Sequence, residues 1–325
     1  MELVTRKKLE FYAGDSHPEL AKAIASNLGV ELGRANLRRF ANGEMHCRYG
    51  ESIRGADVFI LQTHAGPGVN DAIMQQLIMI DAAKRASAKR ITAVCPYYGY
   101  ARQDRKAEGR EPISAKLVAD LYTAAGVDRM VSVDLHTGQI QGFFDQPFDH
   151  LTALPILLER CRKAGNVDDL VIVSPDAGGA KAVTRVANRL GADLAFVNKM
   201  RPKGVANTVV AANVIGNVAG KHCILFDDMI DTAGTIVAAA DLLKEHGAVE
   251  VWAMATHGVL SDPAIERLEN SAVGKVVLTD TLPLPKDKKI DKIEILSIAP
   301  LIADAIKAVF GDESVSEIFE GDNQK

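Results

Sequence analysis

Short apolar runs alternate with amphipathic stretches along most of the 325-residue chain, and this alternation constrains the fold most. Each run is about 4–7 residues long and rich in Val, Ile or Leu, which suits parallel strands buried on both faces. Alternating strands and helices predict an α/β fold with open, doubly wound sheets. The predicted strands are Leu9–Tyr12, Asp57–Gln62, Arg90–Cys95, Arg129–Val133, Leu170–Val173, Asp193–Val197, Lys221–Phe226, Val249–Ala255 and Lys275–Thr279. The predicted helices are Pro18–Asn27, Val69–Arg85, Ser114–Ala125, Ala153–Arg162, Gly178–Leu190, Gly234–His246 and Pro263–Asn270.

Two such series follow one another, one ending near His150 and one starting near Leu151. Prolines and a change from strand to helix separate them, so we predict domains at 1–150 and 151–325. At roughly 150 residues per domain, the length also suggests two domains. The C-terminal stretch holds one more helix and a polar tail, which are candidates for packing back on the N-terminal domain.

The composition excludes several classes of protein. A net charge of −4 is a poor match for bulk nucleic-acid binding, which usually needs a basic face. No run approaches the ~18 apolar residues of a membrane span, and the N-terminus has no apolar stretch typical of a secretory signal. The four scattered cysteines predict reduced thiols rather than a disulfide frame or a zinc site. We therefore expect a cytoplasmic protein with no membrane or nucleic-acid partner.

Ligands of open α/β sheets bind beyond the carboxyl ends of the strands, and residues 221–235, KHCILFDDMIDTAGT, are the most informative such segment. A loop of small residues entering a helix offers backbone N–H groups and the positive end of the helix dipole to a phosphate. Asp227 and Asp228 are placed to accept hydrogen bonds from sugar hydroxyls or to hold a cation. An ordinary turn capped by Asp231 or Thr232 is the alternative, but it leaves two acids at the end of a buried strand unexplained. The pattern favours a sugar-phosphate site.

DDMIDTAGT strongly resembles the phosphoribosyl diphosphate (PRPP) loop of type I phosphoribosyltransferase folds. From Phe40 to the tail, the chain resembles the class I ribose-phosphate diphosphokinase family, also called PRPP synthetases. The resemblance implies two tandem type I phosphoribosyltransferase-like domains, each with a mostly parallel central sheet flanked by helices. It implies transfer of the β,γ-diphosphoryl group of Mg-ATP to the C1 hydroxyl of ribose 5-phosphate, giving PRPP and AMP for purine, pyrimidine, histidine and NAD biosynthesis. The ribose 5-phosphate residues it implies are Arg201, Asp227, Asp228, Asp231, Thr232, Ala233, Gly234 and Thr235.

A second segment, residues 91–112, ends a strand in tyrosines and continues with clustered cations. Cations suit a polyphosphate, and Tyr97, Tyr98 and Tyr100 are candidates for packing on a base or sugar. A solvated loop whose cations pair with neighbouring acids is the alternative. The string YARQDRK resembles the ATP-contacting segment of the family, and the ATP-binding residues thereby implied are Arg102, Gln103 and Arg105.

An earlier segment, FANGE, resembles the part of the family that reads adenine. By that resemblance Phe40 stacks on the base, Asn42 and Glu44 hydrogen-bond to its edge, and Gly43 belongs to the same ATP site. In isolation Asn-Gly is simply a turn signal.

His136 and Asp176 each follow a predicted strand, and the matching positions of the family bind metal. An oxygen ligand such as Asp176 fits Mg²⁺, the implied cofactor. Imidazole is a less natural Mg²⁺ partner, so an alternative for His136 is the nucleotide phosphates.

The segment Asn198–Gly204, NKMRPKG, resembles the flexible catalytic loop of the family. Residues two apart in an extended chain point to the same side, so Lys199 and Arg201 project together. On a closing loop, two cations meet the charge that develops on phosphoryl oxygens. A surface turn is the alternative; by the resemblance Lys199 and Arg201 are catalytic. No residue is an obvious general base, and Asp227 and Asp228 are candidates.

The sequence contains neither GxxxxGK[ST] nor GxGxxG, so a Walker or dinucleotide site is unsupported. The resemblance further implies a homo-oligomer, commonly a hexamer, that phosphate activates and ADP inhibits. The regulatory anion site it implies comprises Arg54, Ser87, Ser314 and Ser316. Two rival functions remain. A phosphoribosyltransferase that consumes PRPP would not need YARQDRK, and a non-catalytic regulatory subunit would be expected to differ in the flexible loop or the metal acids.

Overall fold

A computed structural model describes residues 7–64, 68–176, 178–200 and 211–319. Its strands are β1 (Leu9–Ala13), β2 (Ala35–Arg39), β3 (Met45–Tyr49), β4 (Asp57–Leu61), β5 (Arg90–Cys95), β6 (Arg129–Val133), β7 (Phe148–Leu151), β8 (Leu170–Ser174), β9 (Asp193–Met200), β10 (Ala211–Ile215), β11 (His222–Ile230), β12 (Glu250–Gly258), β13 (Lys275–Thr279) and β14 (Ile293–Leu296). Its α-helices are α1 (Pro18–Leu28), α2 (Val69–Arg85), α3 (Ser114–Ala125), α4 (Leu154–Arg162), α5 (Ala180–Leu190), α6 (Gly234–Glu245), α7 (Ala264–Glu269) and α8 (Ala299–Gly311).

The contacts divide the chain into two units that are not simple halves of the sequence. Unit 1 comprises Met1–Thr152, Thr281–Pro283 and Ser297–Lys325. Unit 2 comprises Ala153–Asp280 and Leu284–Leu296. Helix α8 therefore lies in unit 1, although the linear ranges 1–150 and 151–325 assign it to the second domain.

Unit 1 is built on five parallel strands whose order in the sheet, β1-β4-β5-β6-β7, follows the chain. Helices α2 and α3 cover one face, where Met79, Ile80 and Tyr122 join the core. The alternate strand residues, such as Phe59 and Val94, point to the opposite face and are also buried. Strands β2 and β3 form a separate antiparallel hairpin against α2, and α8 packs on α1.

Unit 2 has seven strands in the order β10-β9-β8-β11-β12-β13-β14, parallel except for β10, which is antiparallel to β9. The chain runs from β8 through α5 to β9 and β10, then returns to the other side of β8 as β11. The strand order therefore reverses between β8 and β11, which makes this gap a topological switch point. Helices α6 and α7 cover one face with Ile236 and Leu268, and on the other face Cys161 of α4 contacts Met254.

Strand β11 extends past its neighbour at the switch point. It pairs with β8 only from His222 to Leu225, but it pairs with β12 as far as Ile230. The prediction that this strand ends at Phe226 is therefore wrong. The strand continues because β12 still offers hydrogen bonds on one side, while the other edge of β11 opens toward the segment after β8.

Most predicted elements are confirmed, and the α/β prediction is confirmed in both units. Strands β5, β6 and β13 and helices α2 and α3 have the predicted bounds. The prediction missed β2, β3, β7, β10 and β14, and it ended β9 three residues early, at Val197. Cys95, Cys161 and Cys223 are buried free thiols, as expected. None of the helices in the described ranges is long and apolar enough to cross a membrane.

Candidate active site

Two adjacent carboxylates lie at the switch point of unit 2, on the part of β11 that only β12 pairs. The Asp228 amide donates to Asp227 Oδ1 at 2.9 Å, and both residues are half-buried. Burial, followed by the neighbouring Asp228 carboxylate, raises the pKa of Asp227, and Asp176 adds to the rise. The three carboxylates therefore share one neighbourhood, where negative charge favours a cation or hydroxyl donors.

Asp176 follows the end of β8 and organises the start of α5. Its Oδ1 accepts hydrogen bonds from the amides of Gly178 at 2.8 Å and Gly179 at 3.2 Å. Its own carbonyl accepts from the Ser174 hydroxyl at 2.6 Å. The exposed carboxylate is thereby fixed beside the switch point.

The predicted phosphate loop, residues 231–235, follows β11 and leads into α6. Ala233, the residue before the helix, is left-handed, with φ of +59°, and its side chain is buried. This anchor turns the chain so that the helix begins at Gly234, with Thr232 and Thr235 exposed on either side. An isolated helix start of this kind concentrates unpaired N–H groups, which suits an anion.

One contact to this loop was not predicted. Arg267 of α7 donates from Nη1 to the Thr232 carbonyl at 2.9 Å. The sequence signal is weak, because Arg267 looks like any exposed cation on a short helix. Only the strand order, which places β12 beside β11, suggests that the helix after β12 lies near the loop.

The predicted ATP-contacting segment of unit 1 lies between β5 and α3. Arg102 and Arg105 are exposed. Gln103 accepts from the Ser114 hydroxyl at 2.6 Å and so joins the segment to the start of α3. The expectation that Tyr98 packs on a base or sugar is wrong: this side chain is 1% exposed and its hydroxyl donates to the Ala115 carbonyl.

Asp104 joins this segment to the loop that carries His136. Asp104 is buried, and its Oδ2 accepts from the Thr137 hydroxyl at 2.8 Å and from Gln139 Nε2 at 2.9 Å. His136 itself is exposed. The structure thus brings two predicted ligand-binding segments together through an acid that the sequence reading counted only as a surface partner for cations.

The predicted adenine segment forms the tip of the β2–β3 hairpin. Phe40 is 48% exposed, and Gly43 has a φ of +93°, so the turn signal is confirmed. The Glu44 amide donates to Asn42 Oδ1 at 3.2 Å.

The two ATP segments meet at the first turn of α2. Arg39, next to the hairpin tip, donates to Asp71 Oδ2 at 2.8 Å, and the Tyr100 hydroxyl donates to Asn70 Oδ1. Asn70 and Asp71 were not singled out in the sequence, where they look like an ordinary helix start.

A buried polar network in the core of unit 1 contacts the backbone of the ATP-contacting segment that follows β5. His64, fully buried, accepts at Nδ1 from the Gly99 amide at 2.8 Å, and its Nε2 lies 2.8 Å from the Tyr122 hydroxyl. Tyr122 in turn donates to Gln76 Oε1. Burial lowers the pKa of His64 to about 4, so the ring is neutral at physiological pH.

The structure describes only some of the residues predicted to be catalytic or regulatory. Lys199 lies in β9 opposite Ala212 of β10, while its side chain and the whole of Arg201 lie outside the described residues. The turns that carry Arg54 and Ser87 are joined by the Gly55 amide, which donates to the Ser87 carbonyl at 2.8 Å. A cavity of about 400 Å³ lies beside Arg54. Ser314 and Ser316 follow α8; Ser314 is exposed and Ser316 half-buried.

The donor groups of unit 2 fit the implied Mg²⁺. Among the described residues, no three His, Cys, Asp or Glu side chains form a ready metal cage. Mg²⁺ does not require one, because it keeps several waters and is usually held by one or two carboxylates together with substrate phosphates. The Asp227–Asp228 pair, with Asp176 nearby, supplies clustered carboxylate oxygens of this kind.

Comparison with known proteins gives consistent matches over nearly the whole chain. The N-terminal domain of ribose phosphate pyrophosphokinase matches residues 9–126, and the phosphoribosyl synthetase-associated domain matches residues 195–320. The ribose-phosphate pyrophosphokinases of Streptomyces avermitilis and Bifidobacterium longum are 56% and 55% identical over 97% of this chain, and over 97% and 93% of their own lengths. A crystal structure of phosphoribosylpyrophosphate synthetase from Mycobacterium smegmatis superposes with a TM-score of 0.89 at 52% identity, covering 94% of this chain and 100% of that one.

Proposed function

This chain belongs to the family of ribose-phosphate pyrophosphokinases, and from that premise we propose that it makes PRPP and AMP from ATP and ribose 5-phosphate. The observation that carries the proposal is the switch point of unit 2, where two carboxylates lie on the last residues of β11, just before a phosphate-type loop. A sugar phosphate needs both: hydrogen-bond acceptors for its hydroxyls and backbone N–H groups for its phosphate.

The reaction moves a diphosphoryl group as one unit. The anomeric oxygen of ribose 5-phosphate forms a bond to the β-phosphorus of ATP, and the bond from that phosphorus to the oxygen it shares with the α-phosphate breaks. AMP leaves with that oxygen, and the proton of the anomeric hydroxyl passes to water or to Asp227 or Asp228, the candidate general bases. Such transfers depend mainly on positioning and on neutralising phosphoryl charge.

Unit 2 binds the sugar phosphate. The amides and hydroxyls of residues 231–235 hold the 5-phosphate at the start of α6, with Asp231, Thr232, Ala233, Gly234 and Thr235 all in the loop. Asp227 and Asp228 accept hydrogen bonds from the ring hydroxyls. The partial burial of this pair limits competition from water.

Unit 1 binds ATP through the segments that meet at α2. Phe40 stacks on the adenine, whose edge Asn42 and Glu44 read at the hairpin tip with Gly43. Arg102, Gln103 and Arg105 contact the polyphosphate from a segment that Asp104 and His64 hold in place.

Lys199 and Arg201 supply positive charge to the transferring group. In unit 2, Asp176 and the Asp227–Asp228 pair would hold Mg²⁺; for His136 of unit 1, metal binding is what the resemblance implies. When bound, Mg²⁺ neutralises charge on the phosphate oxygens.

We further propose regulation and location in line with the family. Phosphate activates and ADP inhibits at a site comprising Arg54, Ser87, Ser314 and Ser316. The protein assembles as a homo-hexamer in the cytoplasm. These features rest on the resemblance of the residues, and the joined turns of Arg54 and Ser87 support them.

A coupled assay of AMP and PRPP tests the proposal. We expect turnover with Mg-ATP and ribose 5-phosphate, without any added base, rising when inorganic phosphate is present. Turnover that needs a base would identify a phosphoribosyltransferase. No turnover from a folded, Mg²⁺-supplied protein would favour a regulatory subunit, and indifference to phosphate would remove the regulatory site alone.

The variant Lys199→Ala tests the catalytic assignment. We expect turnover to fall about a thousandfold, because one charge on the transferring group is lost. The matched control is Lys307→Ala, an exposed lysine of α8, which leaves turnover unchanged. Equal turnover in both variants would contradict the role of Lys199.

A further inference from the structure

The carbonyl groups of the phosphate loop of unit 2 need hydrogen-bond donors. If its N–H groups face a bound phosphate, its carbonyls face away and need donors of their own. The left-handed Ala233 reorients the chain between the end of β11 and the start of α6, so the Thr232 carbonyl lies outside both the strand ladder and the helix. Its hydrogen bond must come from elsewhere.

Arg267 supplies that hydrogen bond. Its Nη1 donates to the Thr232 carbonyl at 2.9 Å. The same nitrogen lies 3.2 Å from the point that a Cβ on residue 234 would occupy. The guanidinium therefore lies against the loop backbone at Thr232 and at Gly234, on either side of Ala233. Gly234 does not adopt a positive φ, so here glycine provides room for the arginine rather than an unusual conformation.

Helix α7, which carries Arg267, is braced at both ends. Lys288 pairs with Asp262 at 3.2 Å and donates to the Leu260 carbonyl, just before the helix. Lys292 donates to three carbonyls at its other end, among them Leu268 at 2.9 Å. Ala264 and Leu268 are fully buried beneath it. The arginine thus projects from a fixed base, although its own side chain is exposed to solvent.

Arg267 also brings a positive charge to a loop rich in acids. Asp227 and Asp228 precede the loop and Asp231 is its first residue, so a dianionic phosphate approaching them meets repulsion. A guanidinium on the loop backbone offsets part of that repulsion, and its planar fork fixes direction better than an ammonium does.

We propose that Arg267 is a positioning residue of the sugar-phosphate site. It holds the Thr232 carbonyl so that the loop amides face the 5-phosphate, and it brings a positive charge to the back of the loop. The inference rests on the proposed binding of ribose 5-phosphate by residues 231–235. It predicts an effect on that substrate and not on ATP.

The test compares Arg267→Met and Arg267→Lys with wild type and with the control Arg162→Met, which removes an exposed arginine from α4 in the same unit. KM is measured for each substrate, together with the Kd of ribose 5-phosphate from calorimetry without ATP, and the Tm. For Arg267→Met we expect both ribose 5-phosphate constants to rise about three- to tenfold, the size of one charge-assisted hydrogen bond partly screened by solvent. The KM of ATP and the Tm stay at wild-type values, Arg267→Lys falls between, and the control matches wild type.

A second substitution tests the route of the effect. In Gly234→Ala the new Cβ would lie 3.2 Å from Arg267 Nη1, so the guanidinium must shift by a few tenths of an ångström and its hydrogen bond to the Thr232 carbonyl weakens. Adding Arg267→Met should therefore weaken ribose 5-phosphate binding by less than the same substitution does in wild type. Full additivity of the two substitutions would contradict an action of Arg267 through this contact.

Unchanged ribose 5-phosphate constants in Arg267→Met would overturn the proposal. Equal rises in both KM values, or a lowered Tm, would assign Arg267 a merely structural role and overturn it as well. The calorimetric arm needs no turnover. A wild-type protein that binds ribose 5-phosphate but makes no PRPP would therefore refute the proposed reaction while still testing Arg267.

Discussion

Units 1 and 2 use the same α/β elements but wind them differently. In unit 1 the parallel strands follow one another across the sheet in chain order, whereas in unit 2 the order reverses between β8 and β11. A reversal sends the flanking helices to opposite faces and leaves a crevice at the carboxyl ends of the two strands. The candidate sugar-phosphate site lies at that crevice, with Asp176 on one side and Asp227 on the other.

Unit 1 has no such reversal among its described strands, and its candidate ATP segments are held by side chains instead. Asp104 ties one segment to the loop of His136, and His64 holds the Gly99 amide from within the core. The comparison suggests that topology creates the site in unit 2, while a polar network creates it in unit 1. Substitutions in the two units should therefore fail in different ways.

The largest effect is expected at the switch point. Asp227→Asn keeps the shape but removes the charged acceptor, so kcat/KM should fall about 10²- to 10³-fold. The same substitution should raise the free energy of unfolding at neutral pH. The raised pKa means that folded Asp227 binds more protons than unfolded Asp227, so wild type loses stability as the pH rises above the ordinary Asp value of about 4. Asp227→Asn lacks this loss.

Assays of turnover and denaturation between pH 5 and 8, the latter without divalent ions, check both parts. Asp241→Asn, an exposed acid of α6, is the control and should change neither quantity. An Asp227→Asn protein that is less stable than wild type at pH 8 would show that the carboxylate is compensated in the folded state.

The next effect concerns the network of unit 1. The folded pKa of His64, about 4, lies below its unfolded value of about 6.5, so the unfolded state binds more protons between these values. Stability of unit 1 should therefore fall by up to about 3 kcal/mol as the pH drops from 6.5 to 4. Hydrogen exchange of the Gly99 amide, which donates to His64, measures this loss locally.

His64→Gln cannot titrate, so its Gly99 amide should show a much flatter pH dependence. Amides of β12 in unit 2 serve as the internal reference. A slope that persists in His64→Gln would assign the acid sensitivity to other groups.

A smaller effect is expected at Asp104. Asp104→Asn weakens the acceptor of Thr137 and Gln139, so the segment of Arg102 loosens and the KM of ATP should rise about tenfold. The KM of ribose 5-phosphate should not change. Asp120→Asn, an exposed acid of α3, is the matched control; a rise in both KM values for Asp104→Asn would contradict the separation of the two sites.

The smallest effects on turnover are expected at the amino ends of the strands, where both sheets carry arginine–carboxylate pairs. Arg90 joins Asp57 to Asp312 in unit 1, and Arg160 pairs with Glu294 through two hydrogen bonds in unit 2. Arg160→Met should lower the free energy of unfolding by about 1 kcal/mol or less, without changing kcat. Arg90→Met should also leave kcat unchanged but lower the free energy of unfolding by more, because the carboxylate of Asp57 is buried and loses its guanidinium partner.

Trp252, the single tryptophan, lies 4.7 Å from the Arg160 guanidinium, so its fluorescence reports the unfolding of unit 2. Arg160→Met should shift that transition, whereas Arg90→Met should not. Arg85→Met, which removes an exposed arginine, is the control for both variants. A change in kcat for either variant would show that the amino ends also affect the sites.

Sequence patterns predicted the elements that are buried on both faces. Strands such as β5 are continuous apolar runs, and the periodicity of α2 is regular, so their bounds were predicted correctly. The missed strands β2 and β3 lack a continuous buried apolar run, since β2 is largely exposed and β3 is mostly half-buried, and their pairing with each other supplies a stability that composition does not show. Strands β7, β10 and β14 are edges, where one neighbour is enough and an apolar run is not required.

The sequence predicted which residues belong to the candidate site, but not how the fold brings them together. The strand-end acids and the loop of unit 2 were identified because their sequence is local and unusual. The switch point was not, since strand order depends on pairing between distant segments. Asp104, His64 and Arg267 were missed for a related reason: each acts through a contact whose partner lies far away in sequence, or is an inconspicuous backbone group.

The position of α8 has a consequence for synthesis of the chain. Helix α1 is translated before unit 2, whereas α8, the helix that packs on α1, follows unit 2 in the chain. Until residues 299–311 have emerged, the apolar surface of α1 that includes Leu20 and Ile24 lacks the helix that packs on it. The whole of unit 2 is translated in this interval. The nascent unit 1 therefore reaches its final packing only after the whole of unit 2 has been translated.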